Sequence, residues 1–171
     1  NGTVTAKPTI FASVTSLSGF TYTVGSGPSL QQMFTLNAAG LTSNVTITAP
    51  ANFEISLNSG ASFSGSTSLN IAPINAKINA LNIYVRLKAG LIQNTYLGVV
   101  SLASNGADNK SVYVSGTVNA APVVLTVSKT ALSNFSYTFG NGPSPIQSFT
   151  VNGTGLTAPI ILRAPANYEI S

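Results

Sequence analysis

Hydrophobic and polar residues alternate with period two along most of this chain. Val45 and Ile47 alternate with Thr46 and Thr48, Phe53 and Ile55 flank Glu54, and Val112 and Val114 flank Tyr113. Ile83, Val85 and Leu87 likewise alternate with Tyr84, Arg86 and Lys88. Successive side chains of an extended strand point to opposite faces, so this spacing predicts half-buried antiparallel strands. Candidate strands are 9–16, 20–24, 31–37, 43–48, 52–57, 66–72, 80–88, 95–103 and 110–118, separated by turn-forming residues. The one helix-tolerant stretch is 74–81, and it is short. So many short strands in about 115 residues predict an all-β fold of tandem immunoglobulin-like antiparallel β-sandwiches, with a small barrel as the second option.

The pattern is duplicated. Residues 9–56 recur as 124–171 without a gap, with GFTYTVGSGPS at 19–29 against NFSYTFGNGPS at 134–144 and APANFEIS at 49–56 against APANYEIS at 164–171. Roughly half of the paired positions are identical, the signature of a repeat array. Gly2-Thr3-Val4 returns as Gly116-Thr117-Val118, each time before a short linker and a proline, Pro8 or Pro122. Residues 1–4 are therefore expected to be the tail of a preceding repeat, 5–118 a complete repeat and 119–171 the first half of the next. A half sandwich cannot bury its inner faces or close its edges. The expectation is that the sequence is a window on a longer array. Completion by another subunit is the less economical alternative, because the missing part corresponds to residues 57–115, far more than one donated strand.

Composition changes the picture in one respect. Seven basic and three acidic residues make up 6% of the chain, against about 25% in typical soluble domains, while hydrophobic residues at 44% suffice for a packed core. Solubility falls to Ser, Thr and Asn. With few charges and no histidine, stability is expected to vary little with salt or with pH near neutrality, which suits an extracellular setting. There is no cysteine, so no disulfide staples the fold. The net charge of +4 is scattered over Lys7, Lys77, Arg86, Lys88, Lys110, Lys129 and Arg163, which argues against a nucleic-acid partner. No apolar run is long enough for a membrane-spanning helix.

The candidate chemistry is thin. The acids are Glu54, Asp108 and Glu169, two of them the same repeat position. Without histidine or cysteine no Ser-His or Cys-His nucleophile is available. A carboxylate pair of the glycosidase kind would have to join Glu54 to Asp108, but a residue that recurs in each repeat is better explained by the fold. No catalytic residue, cofactor or metal site is assigned. Glu54 and Glu169 read as outward strand carboxylates, with Arg86 as the expected exposed partner of Glu54, worth about 0–1 kcal/mol. Gly25, Gly27 and Pro28, repeated as Gly140, Gly142 and Pro143, resemble a phosphate loop only superficially. No lysine and helix start follow, so they read as a strand-to-strand turn. The linkers lack carboxylates to hold calcium, and their stiffness is expected from brevity and proline. An intramolecular Lys–Asn isopeptide is disfavoured, because Lys7 aligns with Ala121 and Lys129 with Val14. Tyr96, just after a loop and at a strand start, occupies the place of a corner tyrosine bonded to backbone, a better account than ligand stacking. Tyr84 and Tyr113 are the aromatics that strand parity turns outward, and cross-strand packing between them is favoured over a sugar-stacking platform.

PANFEISLNSG at 50–60, YVRLKAG at 84–90, NTYLGVVSLAS at 94–104 and VSGTV at 114–118 together resemble the Ig-like repeats of very large secreted and surface proteins of Bacteroidota-type bacteria, many of them type IX secretion-associated. The resemblance covers residues 1–118 directly and 119–171 through the internal repeat. It implies no catalytic residues and an extracellular, cell-surface spacer, stalk, adhesin or fibre. Its expected partners are neighbouring repeats of the same chain or identical subunits. The alternative function is a carbohydrate-binding module with a surface polysaccharide as partner.

Overall fold

The computed structural model describes residues 6–60, 63 and 65–171. The expected tail at 1–4 lies outside them. The chain divides into two compact units, one running through Ala120 and the other from Ala121 to Ser171, two residues beyond the expected boundary.

The first unit is all β. Its strands are β1 (Thr9–Ala12), β2 (Ser16–Thr23), β3 (Gln32–Ala39), β4 (Val45–Thr48), β5 (Phe53–Ser56), β6 (Ser68–Ile71), β7 (Lys77–Leu87), β8 (Asn94–Ala103) and β9 (Lys110–Asn119). They form a four-stranded sheet in the order β1-β3-β7-β5 and a five-stranded sheet in the order β2-β9-β8-β4-β6. The two ladders are separate, which makes a sandwich and not the barrel alternative. The inward positions of the period-two pattern form one core. Phe34, Leu36, Ile55, Ile83 and Val85 come from the first sheet, and Ile47, Val100, Leu102, Val112 and Val114 from the second. Phe20 meets Phe53 edge to face across the core at 5.6 Å between centroids, a preferred aromatic geometry.

Two strand expectations change. Stretch 9–16 is not one strand, because the chain changes sheets within it. β1 is antiparallel to β3, whereas β2 runs parallel to β9, from Ser16 opposite Tyr113 to Thr23 opposite Asn119. Stretch 74–81 is not helical. Ile74 and Lys77 exchange backbone hydrogen bonds of 2.9 and 3.0 Å around Asn75 and Ala76, both at positive φ (49° and 60°), the geometry of a two-residue hairpin turn. β7 begins at Lys77, and its register against β3 shifts between Leu36 and Ala38. There Asn37 Oδ1 accepts the Ala80 N–H at 2.9 Å, giving the bulge a partner for its displaced donor.

The second unit contains one antiparallel pair, β10 (Val124–Val127) with β11 (Val151–Thr154).

Candidate functional site

Glu54 and Arg86 are directly opposed on β5 and β7, and Arg86 Nε donates to Glu54 Oε1 at 2.6 Å. The pair points away from the core, as strand parity requires, yet it is not exposed: Glu54 retains 5% of its surface. This corrects the expectation of a solvated pair. Phe63 and residues 65–67 lie against the pair and the neighbouring strand edge. Ile55 N–H donates to Ser66 O at the free edge of β5, and Ala49 N–H donates to Thr67 O. Gly65 lies beside Glu54 Oε2, and the buried ring of Phe63 sits 4.1 Å from Arg86 Cζ. A cation over a ring face at this distance is attracted by the ring quadrupole. The pair therefore holds Phe63 in place as well as fixing strand register. Nothing in the alternating pattern reveals a residue that covers the outward face, so sequence reasoning missed Phe63.

Among the described residues the second ion pair joins Lys7 to Asp108 at 2.5 Å, with both side chains largely exposed. Lys7 lies just before β1 and Asp108 in the turn between β8 and β9. The ammonium beside it holds the Asp108 carboxyl below its ordinary value, first through the hydrogen bond and then through charge, with Lys110 adding a smaller effect. Pro8 packs on the same turn at Gly106 and against Gly40, so residues 6–8 are seated on the sandwich. Glu54 and Asp108 are thus bound to different cations, the first on the outer face of the four-stranded sheet and the second at the β8–β9 turn. Glu169, the repeat counterpart of Glu54, is exposed.

The glycine-rich turn positions Tyr22. Gly25 takes φ +85°, closing a turn in which Ser26 N–H donates to Thr23 O at 2.8 Å. Gly27 lies flat under the Tyr22 ring, where a Cβ would fall 2.5 Å from a ring carbon. The Tyr22 hydroxyl donates to Lys88 O at 2.7 Å and accepts from Leu91 N at 3.1 Å, tying β2 to the β7–β8 loop. Pro28 follows through a cis peptide bond, and Ser29 Oγ accepts the Leu87 N–H at 3.0 Å. Gly140, Gly142 and Pro143 repeat the arrangement around Tyr137, including the cis bond and the ring against glycine. Tyr22 was absent from the sequence candidates, although its fixed distance from Gly27, kept in Tyr137 and Gly142, is a legible signal. The Tyr96 hydroxyl donates to Ile92 O at 3.0 Å, four residues upstream, which is the bonding pattern of a corner tyrosine.

Tyr84 and Tyr113 do not form a platform. Tyr84 is on β7, opposite Met33 and Ser56, and Tyr113 is on β9, opposite Val99 and Ser16. They belong to different sheets and face outward on opposite sides of the sandwich, which also excludes the expected cross-strand packing. Period two fixes that a side chain points outward but not from which sheet. A shallow groove beside the β6–β7 turn is lined by Ile71, Ile74, Asn75, Lys77, Ile78 and Leu81, with no acid among its lining residues.

Comparison with models of known protein families gives no match, and comparison with curated proteins gives none either.

Proposed function

We propose that the chain is a non-catalytic structural repeat, a mechanical spacer in an extracellular fibre, stalk or adhesin of the Ig-like kind that its motifs resemble. The strand orders support the Ig-like reading, with a four-stranded sheet opposed to one that carries the last two strands of the module. The observation that carries the mechanical reading is the parallel pairing of β2 with β9. The chain enters this module just before β1 and leaves after β9. Once the four-residue β1 has come off β3, tension pulls β2 from its first residue and β9 from its last. In a parallel pair those two ends lie at opposite ends of the ladder. The pull therefore runs along the strands and loads their hydrogen bonds together, whereas an antiparallel terminal pair would open one bond at a time. Val24 N–H donating to Asn119 O and Tyr113 N–H donating to Thr15 O extend the ladder beyond the strand limits. Sparse charge and hydroxyl-rich outer strands support an extracellular setting. The two ion pairs, the buried Tyr22 and the corner-like Tyr96 all serve the fold.

Single-molecule pulling on the 171-residue chain, with handles flanking the first module, tests this. The expected result is one main unfolding step, after any release of β1, at a force that Val24→Pro lowers by removing a terminal ladder bond. Asn70→Gly in the edge strand β6, outside the path between the ends, is expected to leave the force unchanged. A force insensitive to Val24→Pro would refute the mechanical reading.

A further inference from the structure

The second unit exposes an apolar face whose cover is visible elsewhere in the same chain. Residues 124–171 match 9–56 in local structure as well as in sequence. β10 pairs with β11 in the register of β1 with β3, Val124 opposite Thr154 as Thr9 is opposite Ala39. Phe135 meets Tyr168 at 5.5 Å and 76°, as Phe20 meets Phe53 at 5.6 Å and 75°. Ser128 Oγ accepts from Thr150 N–H as Ser13 Oγ accepts from Thr35 N–H, and Gln147 donates to Ser133 O as Gln32 does to Ser18 O. What differs is cover. Phe34, Ile47 and Phe53 are at most 1% exposed, whereas their counterparts Phe149, Leu162 and Tyr168 are 38%, 53% and 52% exposed. In the first unit β7 lies between β3 and β5, and β4 lies between β6 and β8. β11 is also shorter than β3 in a telling place: Gln32–Thr35 pair mainly with β7, and their counterparts at 147–150 are outside any strand.

We infer that this face is a docking surface for one occupant, a stretch of polypeptide with the strand pattern of residues 57–118. The strand matching β7 inserts between 147–154 and 168–171 in the register that β7 keeps with β3 and β5. That register sets a residue of the Arg86 type opposite Glu169, which gives this exposed carboxylate a role. A folded second copy cannot lend such a stretch, because Val85, Leu87, Val100, Leu102 and Val112 are fully buried in its own first unit. The inference stands on the internal correspondence and is independent of whether the module bears tension.

The test compares the 171-residue chain with one carrying residues 57–118 again after Ser171, and with one carrying the same residues shuffled. Amide exchange and binding of a hydrophobic dye report on residues 121–171. In the extended chain, protection at 124–127 and 151–154 is expected to rise at least about tenfold and dye binding to fall. Glu169→Gln is expected to weaken that protection in the extended chain and to change nothing in the 171-residue chain. Unaltered exchange in the extended chain overturns the inference, and so does equal protection from the shuffled stretch. Sedimentation showing that the 171-residue chain dimerises with loss of dye binding also overturns it, by making a second copy the occupant.

Discussion

At the scale of single residues, burial decides which of the few charges matter. Glu54 and Arg86 are largely buried, with Phe63 over the guanidinium, so removing one partner strands the other in a poorly hydrated site. Glu54→Gln is expected to lower stability by about 2–4 kcal/mol, read as a lower urea midpoint. A loss under about 0.5 kcal/mol would place the pair with ordinary surface ion pairs. Lys7 and Asp108 are the contrast, an exposed pair whose effect belongs to acid solution. The folded Asp108 pKa lies below its ordinary 3.8. The stabilisation is therefore fully present above about pH 4 and is lost as pH falls through the folded value, leaving the neutral range untouched. An NMR titration of the Asp108 carboxyl should show a depressed midpoint that returns toward 3.8 in Lys7→Met. Gly116 is a steric requirement: a Cβ there would sit 2.6 Å from both Leu87 Cδ1 and the Phe20 carbonyl oxygen. Gly116→Ala is expected to cost about 1–3 kcal/mol in urea denaturation through overpacking. At this scale the sequence made the Glu54–Arg86 partnership legible through strand parity. It could not make the Phe63 contact legible, because Phe63 lies in a segment without periodicity.

At the scale of elements, alternation located eight of the nine strands of the first unit to within a few residues. It failed where a strand changes partners or turns on unusual residues. The break between β1 and β2 falls in a stretch whose side chains suit either sheet, and only the competition between β3 and β9 as hydrogen-bond partners splits it. The β6–β7 turn was unrecognised because Asn75-Ala76 lacks the glycine that marks such turns. Ala76 at φ 60° carries left-handed strain, so Ala76→Gly is expected to stabilise the module by roughly 0.5–1 kcal/mol, net of the added backbone entropy of glycine. A lower thermal midpoint would show that the turn carries no such strain.

At the scale of the whole molecule, stability rests on apolar burial, and the electrostatic part is concentrated in the buried Glu54–Arg86 pair, which salt screens little. Raising salt from low to about 1 M, where the Debye length falls to about 3 Å, is expected to move the urea midpoint of the first unit only slightly. A large shift would mean that surface charges contribute more than two ion pairs can explain. The sequence by itself determined the all-β class, the inward and outward faces of each strand and the duplication at 124–171, because side-chain period and repeat spacing are properties of the linear chain. Only the tertiary structure decided which sheet each strand joined. It set β2 parallel to β9, separated Tyr84 from Tyr113 and buried an ion pair meant for solvent. The physical reason is common to all three: side-chain alternation is local, whereas strand partnership, sheet stacking and side-chain cover depend on residues far apart in the chain competing for the same hydrogen bonds and the same apolar surface.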